Sequence, residues 1–423
     1  MKKIFFTALL GFLSLFIFLS CNQDPIFWLI SLEREELPPR IPGSPTNMVV
    51  VPHKPDCPTS CAIDCNKKYL FVATRFGRDI QRYSNGNWST IARPGEAIGE
   101  LATDGNHLYA LTFPGGDPWS QGIIRKFDGN AWHDVVTSAA SDYSIQKIYG
   151  VNGYIFAAGA RRSDNSVHYT VFYIDTGNTP LQLRPLDGIS APLSGAVRVG
   201  NTIYLATMHM SATAAGGIFS VTAPGPGALP PAVLVGGTAD FNITGIIGFE
   251  DNGAWSVIAV SNEPAHNQGY LFIKNDSDSD FSYLSTSHNF TGALAIWKHF
   301  VEGEGWVPGL VLLGARDHRP NREQGYREMV ITGAAGARRP ATATLGGVRG
   351  RPADYPSSVA NRARYTANLG RYPVHSLIQV PHGVIQYPDM TDPDFENWEP
   401  PIFAGTSRRG LWAYRNNNWN TED

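Results

Sequence analysis

The thiols Cys57, Cys61 and Cys65 recur at every fourth residue, and His53 stands in step before them. On a helix that spacing sets all four on one face, where three thiolates and an imidazole complete a tetrahedral zinc shell. Pro55 and Pro58 oppose such a helix, because proline has no backbone donor and its ring clashes with the preceding turn. In an oxidising compartment the same residues read as one disulfide and one odd thiol, with the pairing open, and no metal is expected. A second constellation, Asp276-Ser277-Asp278-Ser279-Asp280, alternates like a calcium loop. Phe281 then stands at the required glycine and Ser287 at the bidentate glutamate, so a solvated turn is the expected reading.

The third group is basic. Arg75 and Arg78, Arg161 and Arg162, Arg316 with His318 and Arg319, and Arg408 with Arg409 sit in short polar stretches spread along the chain. Trp119 lies in another such stretch, and the segment 346–372 adds Arg349, Arg351, Arg362, Arg364 and Arg371 against Asp354. A guanidinium offers a planar fork of donors that matches a carboxylate or phosphate. Whether these groups act together depends on the elements that carry them. A nucleophile elbow, a zinc-protease helix motif and a phosphate loop are all missing, so no catalytic residue and no cofactor is assigned.

Those elements repeat. Leu70-Phe71-Val72-Ala73 leads to Tyr83-Ser84-Asn85-Gly86-Asn87-Trp88, and Ile402-Phe403-Ala404-Gly405 leads to Tyr414-Arg415-Asn416-Asn417-Asn418-Trp419. A third copy ends in Phe127-Asp128-Gly129-Asn130-Ala131-Trp132. In each, an aromatic closes one strand, an Asn/Gly cluster supplies the positive φ of a tight hairpin, and tryptophan opens the returning strand. Partial copies at Tyr154-Ile155-Phe156 and Ile203-Tyr204-Leu205 place their aromatics at a period near 48 residues, with weaker matches at Trp255 to Val260 and Leu310 to Gly314. That period predicts an all-β chain: a single β-propeller of about seven four-stranded blades, beginning near Asn47, Ile98, Ser144, Ser194, Ile243, Leu294 and Val374. The last unit carries its own outer strand, so ring closure is expected to rest on packing.

Up-and-down blades sort their connections. Links from second to third strand share a face with the links between blades, and this brings the basic stretches to one side. Asp276, Asp278 and Asp280 would gather on the other with Asp389, Asp392, Asp394, Glu396 and Glu399. The arginine face with Trp119 and His318 is thus the candidate surface for a protein or anionic partner. Solvation of surface loops is the competing explanation of the same charges.

Lys2 and Lys3 followed by an apolar run to Leu19 and then Ser20-Cys21 form a secretory leader (1–20) cut before a cysteine that takes a lipid. A plain signal or an uncleaved anchor would use the same run. Residues 21–46, rich in proline and glutamate, read as a tether of up to roughly 80 Å at about 3.3 Å per residue, and 47–423 as the propeller. The Phe18-Leu19-Ser20-Cys21 site resembles the relaxed lipoprotein signal of spirochaetes. Pro25-Ile26-Phe27-Trp28 and Pro39-Arg40-Ile41-Pro42-Gly43 are similar to the leader region of treponeme-type lipoproteins. The resemblance implies an envelope location, tethered to a membrane, and no activity.

The formal charge of −3 becomes −5 once Lys2 and Lys3 are removed with the leader, which argues against general nucleic-acid binding. Together these features imply a lipid-anchored binding or scaffolding propeller of the cell envelope. The alternative is a glycan-active hydrolase or lyase using the central channel, marked by inward His, Asp or Glu at its mouth.

Overall fold

Asn85 and Gly86 take φ of 47° and 80°, the two left-handed positions that a tight two-residue hairpin requires, and they pair Tyr83 with Trp88 across it. The same pairing joins Phe127 to Trp132 and Tyr414 to Trp419. The rings of the first two pairs lie 4.8 and 5.0 Å apart. In the computed structural model these hairpins are the outer halves of three of seven antiparallel sheets. The structure describes residues 41, 43–53, 67–116, 120–135, 142–163, 166–209, 216–223, 228–263, 268–286, 289–316, 325–341, 373–387, 400–406, 410–415 and 418–421.

Each sheet holds four strands in chain order. Blade 1 is β1 (Val49–Pro52), β2 (Lys68–Ala73), β3 (Ile80–Ser84) and β4 (Asn87–Thr90); blade 2 is β5 (Ala97–Thr103), β6 (Leu108–Phe113), β7 (Ile123–Phe127) and β8 (Trp132–Asp134). Blade 3 is β9 (Ser144–Val151), β10 (Tyr154–Ser163), β11 (Ser166–Asp175) and β12 (Arg184–Leu186). Blade 4 is β13 (Leu193–Val199), β14 (Thr202–Thr207), β15 (Gly217–Thr222) and β16 (Val233–Leu234). Blade 5 is β17 (Ile243–Asp251), β18 (Ala254–Glu263), β19 (Gln268–Asn275) and β20 (Ser282–Thr286). Blade 6 is β21 (Asn289–Val301), β22 (Gly305–Arg316), β23 (Gly325–Thr332) and β24 (Arg339–Pro340). Blade 7 is β25 (Val374–Gln379), β26 (Ile402–Thr406), β27 (Gly410–Arg415) and β28 (Asn418–Thr421). The chain is a seven-bladed β-propeller. Blade 6, one of the weakest repeats in sequence, carries the longest hairpin: β21 has 13 residues and β22 has 12.

Seven apolar clusters hold the ring, one at each junction between blades. Phe71, Ala73 and Ile80 meet Ile98 and Leu108 between blades 1 and 2. Phe156 and Val171 meet Ile203 and Leu205 between blades 3 and 4, and Leu310 and Tyr326 meet Ile402 and Trp412 between blades 6 and 7. The seventh cluster joins the ends of the chain, packing Leu70, Val72 and Tyr83 of blade 1 on Phe403, Leu411 and Ala413 of blade 7. Burying a large apolar side chain contributes about 1.5–3 kcal/mol, so each junction is a small core of its own.

Closure rests on this packing, as the sequence suggests, and on two backbone clasps. Leu411 and Gly410 donate to the carbonyls of Ile41 and Gly43 at 3.2 and 2.9 Å, and Thr46 donates to Ala73 at 2.7 Å. On the opposite face Lys68 and Asn85 donate to Gly383 and Val384, each at 2.8 Å. Ile41 is 2% exposed and belongs to the closing cluster, so the folded body reaches into the stretch 21–46 that reads as tether.

The innermost strands share a device that the repeat does not announce. Near its upper end each carries a β-bulge, which gives it extra backbone relative to its partner. Gly99, Gln146, Ser194, Thr244 and His375 are the extra residues in β5, β9, β13, β17 and β25. Residues 291–293 face Gly314 in blade 6, and residues 46–48 face two residues of β2 in blade 1. An innermost strand has a free edge, and a bulge re-aims side chains so that they can satisfy the neighbouring edge. Asn47 accepts from the Leu101 N–H at 3.1 Å and donates to its carbonyl. Ser194 donates to Ile243 O at 2.6 Å, and Thr291 donates to Val374 O. Each of these bonds stitches one blade to the next.

Candidate functional site

The upper face, which carries the β2–β3 type connections, holds a cavity of about 310 Å³ lined by blades 1 to 4. Arg75 and Phe76 reach it from blade 1, Phe113 from blade 2, Gln146, Lys147 and Ala158 from blade 3, and Pro192, Leu193 and Met208 from blade 4. The bulge in β9 explains two of these. With Gln146 as the extra residue, Lys147 pairs with Ala158, and the polar pair stands at the rim.

Phe76 has φ of 62°, a left-handed backbone that a bulky side chain rarely adopts, and it is 42% exposed. Three backbone bonds impose it: Phe76 N–H to Ile98 O at 2.6 Å, Gly77 N–H to Thr74 O at 2.8 Å, and Ile98 N–H to Gly77 O at 2.8 Å. The ring leans on Phe113 at 6.3 Å, and the Arg75 guanidinium lies 5.1 Å from it. Among the described residues, Arg75, Lys147 and Glu100 have no partner within ion-pair distance, and the Gln146 side chain has no hydrogen bond.

Glu100 of β5 belongs to the same electrostatic site. Burial within the channel pushes its carboxyl above the ordinary range, and Lys147 and then Arg75 pull it back only in part. Tyr149 of β9, packed on the cluster between blades 3 and 4, feels the same group: burial followed by the field of Glu100 drives that phenol well upward. The arrangement can hold a negative group between Arg75 and Lys147 while its apolar wall covers whatever is attached. Lys147, Gln146, Glu100 and Tyr149 are not singled out by loop reasoning, because they lie inside strands. Their signal is charge where an innermost strand should be apolar, in Ile145-Gln146-Lys147-Ile148 and Ile98-Gly99-Glu100-Leu101.

Of the residues that the sequence points to, Arg75 is at the cavity and Arg78 is exposed in the same connection. Arg161 and Arg162 are exposed, but they lie within β10, paired to His168 and Val167, instead of in a loop. The hairpin of blade 3 extends further than its composition implies, and Arg161 is placed 5.3 Å from the Tyr143 ring. Arg316 likewise ends β22, paired to Asn289. Cys21, Cys57, Cys61, Cys65, Trp119, His318, Arg319, Arg408, Arg409 and the insertion 346–372 lie outside the described residues.

On the lower face the aspartates of the β19–β20 connection serve the fold. Asp276 pairs with Arg339 at 2.6 Å, and Asp278 accepts from the Asn275 N–H and side-chain amide at 2.9 and 2.8 Å. Asp251 and Arg338, both buried, pair at 3.1 Å, and Arg338 also donates to Glu304. Among the described residues no helix is long and apolar enough to cross a membrane.

No protein-family model and no curated protein sequence matches the chain. Two solved structures, both mutant forms of the Synechocystis apocarotenoid oxygenase, are similar at 11% identity. They cover 58% of this chain and 65% of theirs, with TM-scores of 0.32 and 0.33. This chain thus spans less than two thirds of that oxygenase, and a likeness so distant transfers no residue or ligand.

Proposed function

We propose that this protein is a lipid-anchored β-propeller of the cell envelope that binds an anionic partner through its upper face. The observation that carries the reading is the cavity where Arg75 and Lys147, from different blades and without ion-pair partners among the described residues, converge beside an apolar wall. Lys147 stands on β9, and Arg75 lies in a turn that backbone bonds hold at Phe76 and Gly77, so the scaffold brings both cations to one cavity. The leader with Cys21 supports the anchor, and the treponeme-type resemblance agrees with an envelope location. A channel hydrolase acting on glycans needs two opposed carboxylates. None of the described residues that line this cavity is a carboxylate, and Glu100, in the field of Lys147 and Arg75, is a single one, which favours binding over cleavage.

The test is crosslinking in the intact envelope, with mass-spectrometric identification of neighbours, on the full chain and on Arg75→Ser/Lys147→Ser. The double variant is expected to lose the captured partner while its melting temperature stays unchanged; capture at the original yield removes the reading of this face. Separately, Cys21→Ala is expected to move the protein from the detergent phase to the aqueous phase, and unaltered partitioning counts against the anchor.

A further inference from the structure

The cavity is built for more than charge. Its lining is largely apolar, with one amide and two cations at the rim, which is the composition of a small-molecule site and not of a flat docking face. Phe76 is the sharpest sign. A large aromatic residue held in a left-handed conformation and left 42% exposed is strained for a modest gain in packing. Such strain persists where the surroundings over-determine it, and it collects at ligand clamps. Here three backbone bonds enforce it and turn the ring over the cavity beside Phe113.

Charge narrows the class of ligand. A bare pair of cations would suit a phosphate dianion, but Glu100 lies in the field of both as an internal rival. The groups facing Glu100 are Lys147 and Tyr149 from β9 and Arg75 from the β2–β3 connection. β1 carries no titratable side chain, and Tyr109 of β6 is engaged with Asp104 at 3.1 Å. Because Glu100 draws on both Lys147 and Arg75, the pair suits one further negative charge better than two. Apolar walls then ask for a ligand whose remainder is hydrocarbon.

We infer that this cavity binds a small monocarboxylic acid with an apolar body, its carboxylate between Arg75 and Lys147 and its body against Phe76, Phe113, Leu193 and Met208. This rests on the reading of the upper face as anion-binding and names the ligand class at one point of it. Gln146 supplies a donor to the second carboxylate oxygen. The free acid and the same acid as the end group of a larger envelope molecule share this chemistry.

The experiment is calorimetric titration of the full chain in detergent with 3-phenylpropionate, with 3-phenylpropanol and acetate as controls and a micelle-only blank. The acid should bind at one site at least about tenfold more tightly than either control, since a charge-assisted pair contributes roughly that factor. Lys147→Met and Arg75→Ser should each abolish the preference for acid over alcohol, and Glu100→Gln should tighten acid binding severalfold. Equal affinity for acid and alcohol overturns the inference, and so does unchanged acid affinity in either cation variant. Should a variant melt early, the wild-type comparison of acid with alcohol still decides. Loss of acid binding with partner capture still dependent on Arg75 and Lys147 sinks this inference alone. Acid binding without capture sinks the broader reading of the face alone. Acid binding that is abolished by prior partner capture identifies a tethered end group as the natural form.

Discussion

Arg338→Met tests how blades 5 and 6 are held together. Arg338, in the connection between β23 and β24, pairs with Asp251 of the β17–β18 turn and with Glu304 of the β21–β22 turn. Asp251 also accepts from the Gly336 N–H at 2.9 Å, so the Asp251 carboxylate is fixed on the junction. The Arg338 and Asp251 side chains are 7% and 6% exposed, while that of Glu304 is 35% exposed and can turn to water. Removing the guanidinium leaves one buried carboxylate without its cation, a loss of about 3 kcal/mol, the lower part of the range for broken buried pairs. The propeller body, residues 39–422, should unfold with an entropy of about 0.8 kcal/mol per kelvin at about 2.1 cal/mol/K per residue. The melting temperature of the variant should therefore fall by about 4 °C, followed by circular dichroism on the full chain. Arg338→Met/Asp251→Asn removes the abandoned charge and should recover more than half of that loss. A fall below about 1 °C, or a double variant no more stable than the single, refutes the reasoning that desolvated charge is what the arginine compensates.

Three further outcomes are expected. Burial alone would raise the Asp104 carboxyl, but bonds from the His107 ring, the His107 N–H and the Asn106 N–H outweigh it and set the value at about 2. Because that lies below the unfolded value, its stabilisation of about 2 kcal/mol is complete above about pH 4 and is lost as pH falls through about 2. Asp104→Asn should flatten the acid limb of a denaturation profile in that window, and an unchanged limb contradicts it. Gly150→Ala should cost about 3 kcal/mol or abolish soluble expression, because its Cβ would meet Thr103 O at 1.9 Å in the neighbouring blade. Gly177→Ala, whose nearest neighbour would be 3.4 Å away, should melt as wild type in the same assay. Asn47→Ala strands both backbone groups of Leu101, costing about 2–4 kcal/mol, and hydrogen exchange should show the Leu101 amide losing protection.

Much of this architecture is legible in the residues. Tyr83 with Trp88 and Phe127 with Trp132 lie at fixed spacing around residues that accept positive φ, so the turns dictate the register and the register dictates the blades. The expected blade starts fall within a few residues of Val49, Ala97, Ser144, Leu193, Ile243, Asn289 and Val374. The bulges are not legible, because an inserted Gly99, Gln146, Ser194, Thr244 or His375 shares no residue type, and one extra backbone unit leaves no compositional mark. For the same reason Lys147 escapes loop-based reasoning while Arg75 does not. Ion pairs such as Arg338 with Asp251 join residues far apart in sequence, and only the ring brings them together.

The clasp at Ile41 and Gly43 bears on how the molecule is made. These residues precede every blade in the chain, yet their backbone partners, Gly410 and Leu411, belong to blade 7. Blades can pack one after another, each on its predecessor, but the circle stays open until blade 7 has folded. Until then the apolar flank of blade 1, with Leu70 and Val72, stays uncovered, so closing the ring is also the step that hides this flank from wrong partners.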